Sequence, residues 1–288
     1  MNLQQVISVE NMRQSDAHTI AHHTTSAELM HRAAEGIANA VNFAGKVAIV
    51  CGKGNNGGDG YALACILCKR GIVPTIVRIT DGFSKDGLYY YKKALSLGAN
   101  EDSLVSVGNF TGYDIVVDCL LGTGFSGKIE GNILQAIEQI NNSSSYVISA
   151  DINSGINGDT GHAEIAVRSD LTVSIGAYKT GLFLNSAPYY ISSMVNVDIG
   201  IHILKDEYKL IDYSLLHVFE GYNSEVITMR DFFDIYGEDY GLDQQSCDIP
   251  QCILEVSKNE HKTIVVKTKH SAIIADLKYI YFCADYAK

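Results

Sequence analysis

Basic residues and proline are both scarce in this chain. Of its 288 residues, 22 are Lys or Arg against 33 Asp or Glu, a formal charge of −11. Phosphate backbones need a basic face, so this balance argues against nucleic acid as a partner while leaving room for a local basic pocket that takes a small anion. Only Pro74, Pro188 and Pro250 are present, so no rigid proline linker marks a domain boundary. No apolar run reaches membrane-spanning length, and the opening MNLQQVISVENMRQSD lacks the charged-then-apolar form of a secretory leader. Neither membrane attachment nor export is therefore expected. The chain has no internal repeat and no low-complexity tract. Its seven cysteines are odd in number. Cys65 and Cys68 form a C-x-x-C inside YALACILCKRG, which reads as a buried helix, and Cys247 with Cys252 has no second pair at zinc spacing. A reducing, cytoplasmic compartment fits this usage.

What is present is an alternation of short β-branched runs with helical segments between Val47 and Ile201. KVAIVCG, VPTIVRIT, YDIVVDCLLG, SYVISADINSG, LTVSIGA and MVNVDIGI read as strands. YALACILCKRG, DGLYYYKKALSLG and NILQAIEQINN read as the helices between them. Near-continuous apolar strands separated by helices imply a mostly parallel sheet covered on both faces. Two further helices precede it, NMRQSDAHTIAHH and SAELMHRAAEGIANAVN, the second with Ser26 as its expected cap. After Ile203 the composition turns polar, in KDEYKLIDYSLLHVFEGYN, and the remaining residues end in an expected hairpin, KTIVVKTKHSAIIADLKYIYF. The division is thus a main domain over 1–203 and a small C-terminal appendage over 204–288.

The stretch VAIVCGKGNNGGDGYALA carries five glycines, two asparagines and an aspartate between Gly52 and Gly60. It joins a strand to a helix, where open α/β sheets bind ligands and where helix amides attract anions. Glycines there let backbone amides approach a phosphate; a tight turn alone would need only one or two of them. Gly52, Gly54 and Gly57 also satisfy the dinucleotide pattern G-x-G-x-x-G, with Arg78 and Asp81 at the end of the following strand, so an NAD(P)-dependent dehydrogenase is one reading. That reading leaves Asn55, Asn56 and Asp59 unexplained.

Two later strands end on acids. Asp118 closes an apolar run ahead of Leu121-Gly122-Thr123-Gly124, and Asp151 precedes Asn153-Ser154-Gly155. Neighbouring strand ends bring Asn56, Asp118, Asp151 and Ser154 together above the sheet. One carboxylate, an amide oxygen and a hydroxyl suit a weakly held hard cation, and the second acid is then free to act on substrate. Lys179, in SIGAYKTGL, is either a solvated loop lysine or a group that meets an anion or donates a proton. His22, His23 and His31 read as surface residues of the N-terminal helices.

From about Val6 to Ile201 the chain resembles the YjeF N-terminal domain family, the NAD(P)H-hydrate epimerases. The resemblance rests on ENMRQSDAHTI, AELMHRAA, GKGNNGGDG, DCLLGTGFSGKIEG, DINSGINGDTG, TVSIGAYKTGL and MVNVDIGI in that order. It implies a Rossmann-like three-layer α/β/α sandwich, a homodimer, and an isomerase that interconverts the R and S epimers of hydrated NADH or NADPH. A stereospecific NAD(P)H-hydrate dehydratase, the functional partner, then restores the dinucleotide. Matched by motif, Asn55, Asn56, Gly57, Gly58 and Asp59 would contact substrate, as would Gly122, Thr123, Gly124, Phe125, Ser126, Gly127 and Lys128. Asn56, Asp118 and Ser154 would hold one potassium ion per subunit. Asp151 would contact the hydrated ring or its ribose and assist proton movement, more than Asp118, with Lys179 as auxiliary donor.

The sequence departs from the family at a few places. D-I-P-S-G has become Asp151-Ile152-Asn153-Ser154-Gly155, the proline before the lysine is Tyr178, and L-M-E-R-A-G is Leu29-Met30-His31-Arg32-Ala33-Ala34. TMRDFFDIYG and TIVVKTKHSAIIADLKYIYF faintly resemble pieces of the ribokinase-like dehydratase domain that many members carry fused behind the epimerase. Its glycine-rich nucleotide block and G-x-G-D do not occur here, so no dehydratase activity is expected. The same fold also serves as a non-catalytic dimeric binding scaffold, a role that would not require Asp118, Asp151 and the whole GNNGGDG stretch.

Overall fold

The computed structural model describes residues 4–125, 127–221, 223–242 and 248–287. β1 (Gln4–Ile7) leads into α1 (Val9–His22) and α2 (Ser26–Ala40). Strands and helices then alternate through β2 (Val47–Cys51), α3 (Asn55–Lys69), β3 (Thr75–Arg78), α4 (Lys85–Ser96) and β4 (Asn100–Asp102). The alternation continues with α5 (Leu104–Val107), β5 (Ile115–Cys119), α6 (Gly131–Asn141) and β6 (Tyr146–Ala150). Next come β7 (Leu171–Ile175), β8 (Tyr178–Lys179), β9 (Met194–Val197) and β10 (Tyr208–Leu210). The last stretch holds α7 (Leu216–Phe219), β11 (Ser224–Thr228), α8 (Met229–Tyr240), α9 (Ile249–Glu260), β12 (Thr263–Lys267), β13 (Ser271–Asp276) and β14 (Tyr279–Ala284).

Seven strands pair in parallel in the order β4-β3-β2-β5-β6-β7-β9. Strand pleating sends alternate residues to opposite faces. In β2, Val47, Ile49 and Cys51 enter the core beneath α2, α3 and α4, while Ala48 and Val50 enter the core beneath α5 and α6. Apolar residues at every position of such a strand are what two helical layers demand. The Rossmann-like three-layer sandwich expected from the sequence is therefore present. β4 was not foreseen: its three residues, NED, are polar and carry no alternation.

The C-terminal residues are less separate than the appendage expected from the sequence. β11, β12, β13, β14 and β10 continue into β1 and β8 as a second seven-stranded sheet. β10 pairs antiparallel with β1 (Gln5 opposite Lys209) and parallel with β14 (Leu210 beside Phe282). The core under this sheet mixes Val6, Ile152, Tyr178 and Phe183 with Phe232, Ile253 and Phe282. Buried hydrogen bonds cross the division as well, from Ser271 Oγ to Phe183 O at 2.8 Å and from Tyr286 OH to Leu182 O at 2.9 Å. The expected hairpin is real and extends to a three-stranded meander, β12-β13-β14.

Two local expectations change. α2 is capped by Thr25 and not Ser26, the Thr25 hydroxyl accepting from Glu28 N–H at 3.2 Å. The NNGGDG stretch is no loop, because α3 begins at Asn55 and runs through it. Its glycines admit neighbours. A Cβ on Gly57 would collide with the Gly52 carbonyl; one on Gly58 would stand 2.8 Å from Met30 Sδ; one on Gly60 would stand 2.8 Å from Cys51 Sγ. Bare backbone here lets α3 lie directly on the sheet and under α2.

Candidate active site

Gly54 caps α3 with an extended backbone and no side-chain hydrogen bond, and nothing lies within 4 Å of where its Cβ would be. No side chain satisfies the first-turn amides, and the start of α3 follows the carboxyl end of β2, where helix N-termini suit anions. Asn55 is exposed beside them and Asn56 is buried. Asn56 Nδ2 donates to Leu121 O at 2.8 Å, whereas its Oδ1 is buried without a hydrogen-bond partner.

Asp118 sits in β5, fully buried. Its Oδ1 accepts from Ser154 Oγ at 2.5 Å and Leu120 N–H at 3.2 Å; its Oδ2 accepts from Ser149 Oγ and Ser154 N–H, both at 2.9 Å. Burial pushes its pKa upward and the donors on Ser154, Leu120 and Ser149 pull against that. All four contacts are within the protein, so Asp118 builds the turn at Ser154 and does not reach outward. Ser154 Oγ accepts from Leu121 N–H at 2.9 Å and lies 3.3 Å from Leu121 O. Asn56 and Ser154 thus both reach the Leu121 carbonyl, and Asp118 is linked to it through Ser154.

Asp151 follows β6 with a φ of 67°, a left-handed conformation that costs a non-glycine residue and is tolerated best by Asp and Asn. Lys179 answers it. Far from a solvated loop lysine, Lys179 is 1% exposed; its ammonium pairs with Asp151 Oδ1 and donates to Ile175 O at 2.9 Å. Two residues separate the end of β7 at Ile175 from the start of β8 at Tyr178, so Lys179 stands at the seam of the two sheets.

Two acids join this pair. Asp59 faces it from α3, and burial, then Asp151 and Asp16, push the Asp59 pKa well above the carboxylate range while Lys179 opposes them. Asp16, on α1, is pushed up to about 6 by burial, lowered by Lys179 and raised by Asp151. Asp16 was not among the residues singled out from the sequence. The available signal was the polar stripe Asn11, Ser15, Thr19, which is buried; Ser15 and Thr19 hydroxyls accept from Leu204 and His202 N–H at 3.1 and 2.9 Å. A helix that buries polar groups on one side has its adjacent acid turned toward the protein. Asp16 and Asp59 thus lie within electrostatic range of the Lys179–Asp151 ion pair, and burial favours the neutral form of each, an arrangement that general acid–base chemistry uses.

The segment after β5 borders this group at Gly122, whose Cβ position lies 3.3 Å from Asn56 Cβ and 3.7 Å from Asp151 Oδ2. Phe125 N–H donates to Gly122 O at 3.1 Å, closing a turn over Thr123 and Gly124. Gly127 and Lys128 continue outward and are exposed, and Ser126 lies outside the described residues. Gly57 and Gly58 keep their α-carbons against protein, and the Gly58 N–H is spent on Gly54 O at 3.1 Å, closing the first turn.

Where the resemblance leads one to expect proline, Asn153 is wholly buried and ties the Ser154 turn to its surroundings. Its Nδ2 donates to Val167 O and Ser169 Oγ, both at 2.9 Å, and its Oδ1 accepts from Thr172 Oγ1 at 2.6 Å. Hydrogen bonds here do the holding that a fixed φ would do otherwise. His22 and His23 lie on the surface, as expected, within a cluster in which His18 stacks on His22 at 4.3 Å and His202 brings a ring to 5.3 Å from His18.

With this geometry in hand, comparison with known proteins is informative. Residues 26–181 match the family model described as YjeF-related protein N-terminus. The chain is 34% identical over 182 residues, 60% of its length, to an NAD(P)H-hydrate epimerase from Rhodopirellula baltica, covering 75% of that protein. It is 31% identical over 209 residues, 68% of its length, to the one from Limosilactobacillus fermentum, covering 97% of it. A bifunctional NAD(P)H-hydrate repair enzyme from Coxiella burnetii is 33% identical over 184 residues, 60% of this chain, of which the match spans 37% of the relative's length. The crystal structure of the yeast protein YNL200c superposes with a TM-score of 0.54 at 16% identity, over 65% of this chain and 84% of that one, a likeness of fold.

Proposed function

The chain belongs to the family of YjeF-related protein N-termini, and from that premise we propose that it is an NAD(P)H-hydrate epimerase, interconverting the R and S forms of hydrated NADH or NADPH. The observation that carries this reading is the buried Lys179–Asp151 pair with Asp16 and Asp59 beside it, next to the uncapped start of α3. In the hydrate, the hydroxyl-bearing ring carbon is bonded to the ring nitrogen. Protonation of that hydroxyl lets it leave as water while the nitrogen lone pair forms a C=N bond. Water then adds to the opposite face and gives up a proton, which restores the balance and inverts the centre. Asp59, favoured in its neutral form, suits the donor; Asp151 suits the acceptor and stands opposite the developing cation, with Lys179 holding it in place and serving as auxiliary donor. Acid–base assistance of this kind is worth roughly 10²–10⁴-fold.

The α3 amides suit the pyrophosphate. The residues present also fit the expected potassium ion, one per subunit: Asn56 Oδ1 is a buried oxygen in want of a partner, and Ser154 Oγ and Leu121 O lie beside it. Asp118, saturated by protein donors, would contribute countercharge. When bound, the ion would supply fixed positive charge to the site. The product would pass to a stereospecific dehydratase, a separate activity.

The test is to incubate the protein with separated R and S hydrates, with and without potassium, and to follow the isomer ratio by chromatography. Equilibration faster than in the protein-free control, without regeneration of NADH, is expected. Unchanged rates with both hydrates would refute the proposal and favour a non-catalytic scaffold.

A further inference from the structure

A cleft of about 800 Å³ opens beyond the carboxyl ends of β2, β3 and β4, and the reaction centre makes no use of it. Lys53 borders it at the start of α3, and Arg78, Thr80 and Asp81 enter it from the end of β3. Thr80 Oγ1 and Arg78 Nε are both buried there without a hydrogen-bond partner, polar atoms left for something else to satisfy. The cleft also has a definite place in the topology. Strand order reverses between β2 and β5, and ligands of such sheets lie across the reversal. Asp151 and Lys179 stand on one side of it, the cleft on the other, and the uncapped start of α3 lies between.

The charges in the cleft are unequal. Asp81, Glu101, Asp102 and Glu130 line it, against Lys53 and Arg78. Arg78 is already engaged: its guanidinium lies over Phe83 at 4.4 Å and Tyr91 at 5.2 Å, and 3.7 Å from Glu101. Glu101 is engaged in turn, accepting from Tyr91 OH at 2.8 Å. Asp81 is exposed and follows the strand whose end, in sheets of this order, holds the acid that binds a ribose hydroxyl.

Building on the epimerase reading, we infer that this cleft takes the adenosine half of the dinucleotide with its 2′-hydroxyl free, that Asp81 accepts the hydrogen bond from that hydroxyl, and that the enzyme therefore selects the hydrate of NADH over that of NADPH. A 2′-phosphate would bring about −1.5 to −2 charges among acids, with the one nearby guanidinium pinned by aromatic rings and a carboxylate.

Two measurements separate this inference from the activity it builds on. The first is kcat/KM for the two hydrates in the wild type and in Asp81→Asn. The wild type should favour NADH hydrate by about tenfold or more, and Asp81→Asn should cut that ratio by about tenfold, the scale of one charge-assisted hydrogen bond. The second is calorimetric binding of ADP-ribose and of its 2′-phosphate, fragments that lack the nicotinamide ring. ADP-ribose should bind more tightly, and Asp81→Asn should erase the difference. Turnover of both hydrates with equal kcat/KM, or a ratio untouched by Asp81→Asn, overturns the inference and leaves the epimerase reading standing. Equal binding of the two fragments overturns it too. Asp81-dependent discrimination between the fragments without turnover of either hydrate sinks the epimerase reading and keeps the subsite.

Discussion

Replacing Lys179 with methionine removes the only cation that faces Asp151 in the buried pair. Lys179 is 1% exposed and the Asp151 side chain 17%, so water cannot take over the lost interaction. Breaking a buried ion pair from one side costs about 3–5 kcal/mol, because the remaining charge stays desolvated. For a chain of this size that corresponds to a urea midpoint lower by about 1–1.7 M, at a slope near 3 kcal/mol/M. Asp151→Asn should cost about as much for the mirror reason, leaving a buried ammonium without its direct ion-pair partner. Asparagine suits this position because the φ of 67° persists in the variant. The Lys179→Met, Asp151→Asn double variant has no unpaired charge and should recover to within about 2 kcal/mol of the wild type. The cycle is read by urea unfolding monitored by circular dichroism, with epimerisation assayed in parallel and expected to be lost in all three variants. If the double variant loses the sum of the two single losses, Lys179 and Asp151 are not coupled, and the constellation described above fails as a unit.

Gly57→Ala drives a methyl toward the Gly52 carbonyl, whose carbon would lie 2.9 Å away. Backbone cannot swing aside as a side chain can, so a loss of about 1–3 kcal/mol is expected, with slower epimerisation from the displaced α3 start; unchanged melting would show that α3 does not pack as described. Asp16, pushed up to about 6 from an ordinary value of 3.8, keeps its proton in the folded chain over a range where the unfolded chain has released it. Its ionisation therefore opposes folding progressively as pH rises from 4 to 6 and fully above that. Asp16→Asn should be more stable than the wild type by about 2–3 kcal/mol at pH 7.5 and no more stable at pH 4, where melting curves that still differ would refute the assignment.

Much of the parallel sheet was legible in the sequence because its strands are continuous β-branched runs and its helices have the length to show a period. Asp118 and Asp151 were locatable for a related reason, each directly following such a run, with Ser154 three residues beyond the second. The nature of the glycine stretch was not legible. Glycine signals a close approach without saying of what, and at Gly57, Gly58 and Gly60 the approach is made by protein. Lys179 was ambiguous because its burial is set by β8, two residues long, pairing with β1 far away in sequence. Strands of two to four residues such as β1, β8 and β10 carry no period of their own, so the second sheet could not be assembled from local pattern. Asp16 was hidden by the same gap, since the face that α1 turns inward depends on what α1 packs against.

That second sheet also sets a timetable. In space β1 lies between β8 and β10, and β10 is held in turn by β14. β8 can join β1 once residue 179 has been made and β10 closes its other side by residue 210, but the far edge of β10 waits for β14, which is complete only at residue 284. The three-layer sandwich and the β8-β1-β10 ribbon can form before the β12-β13-β14 meander is made, and the meander then covers the free side of β10. Until then the bare edge of β10 makes the newborn protein a natural client for chaperones that cover unpaired strands.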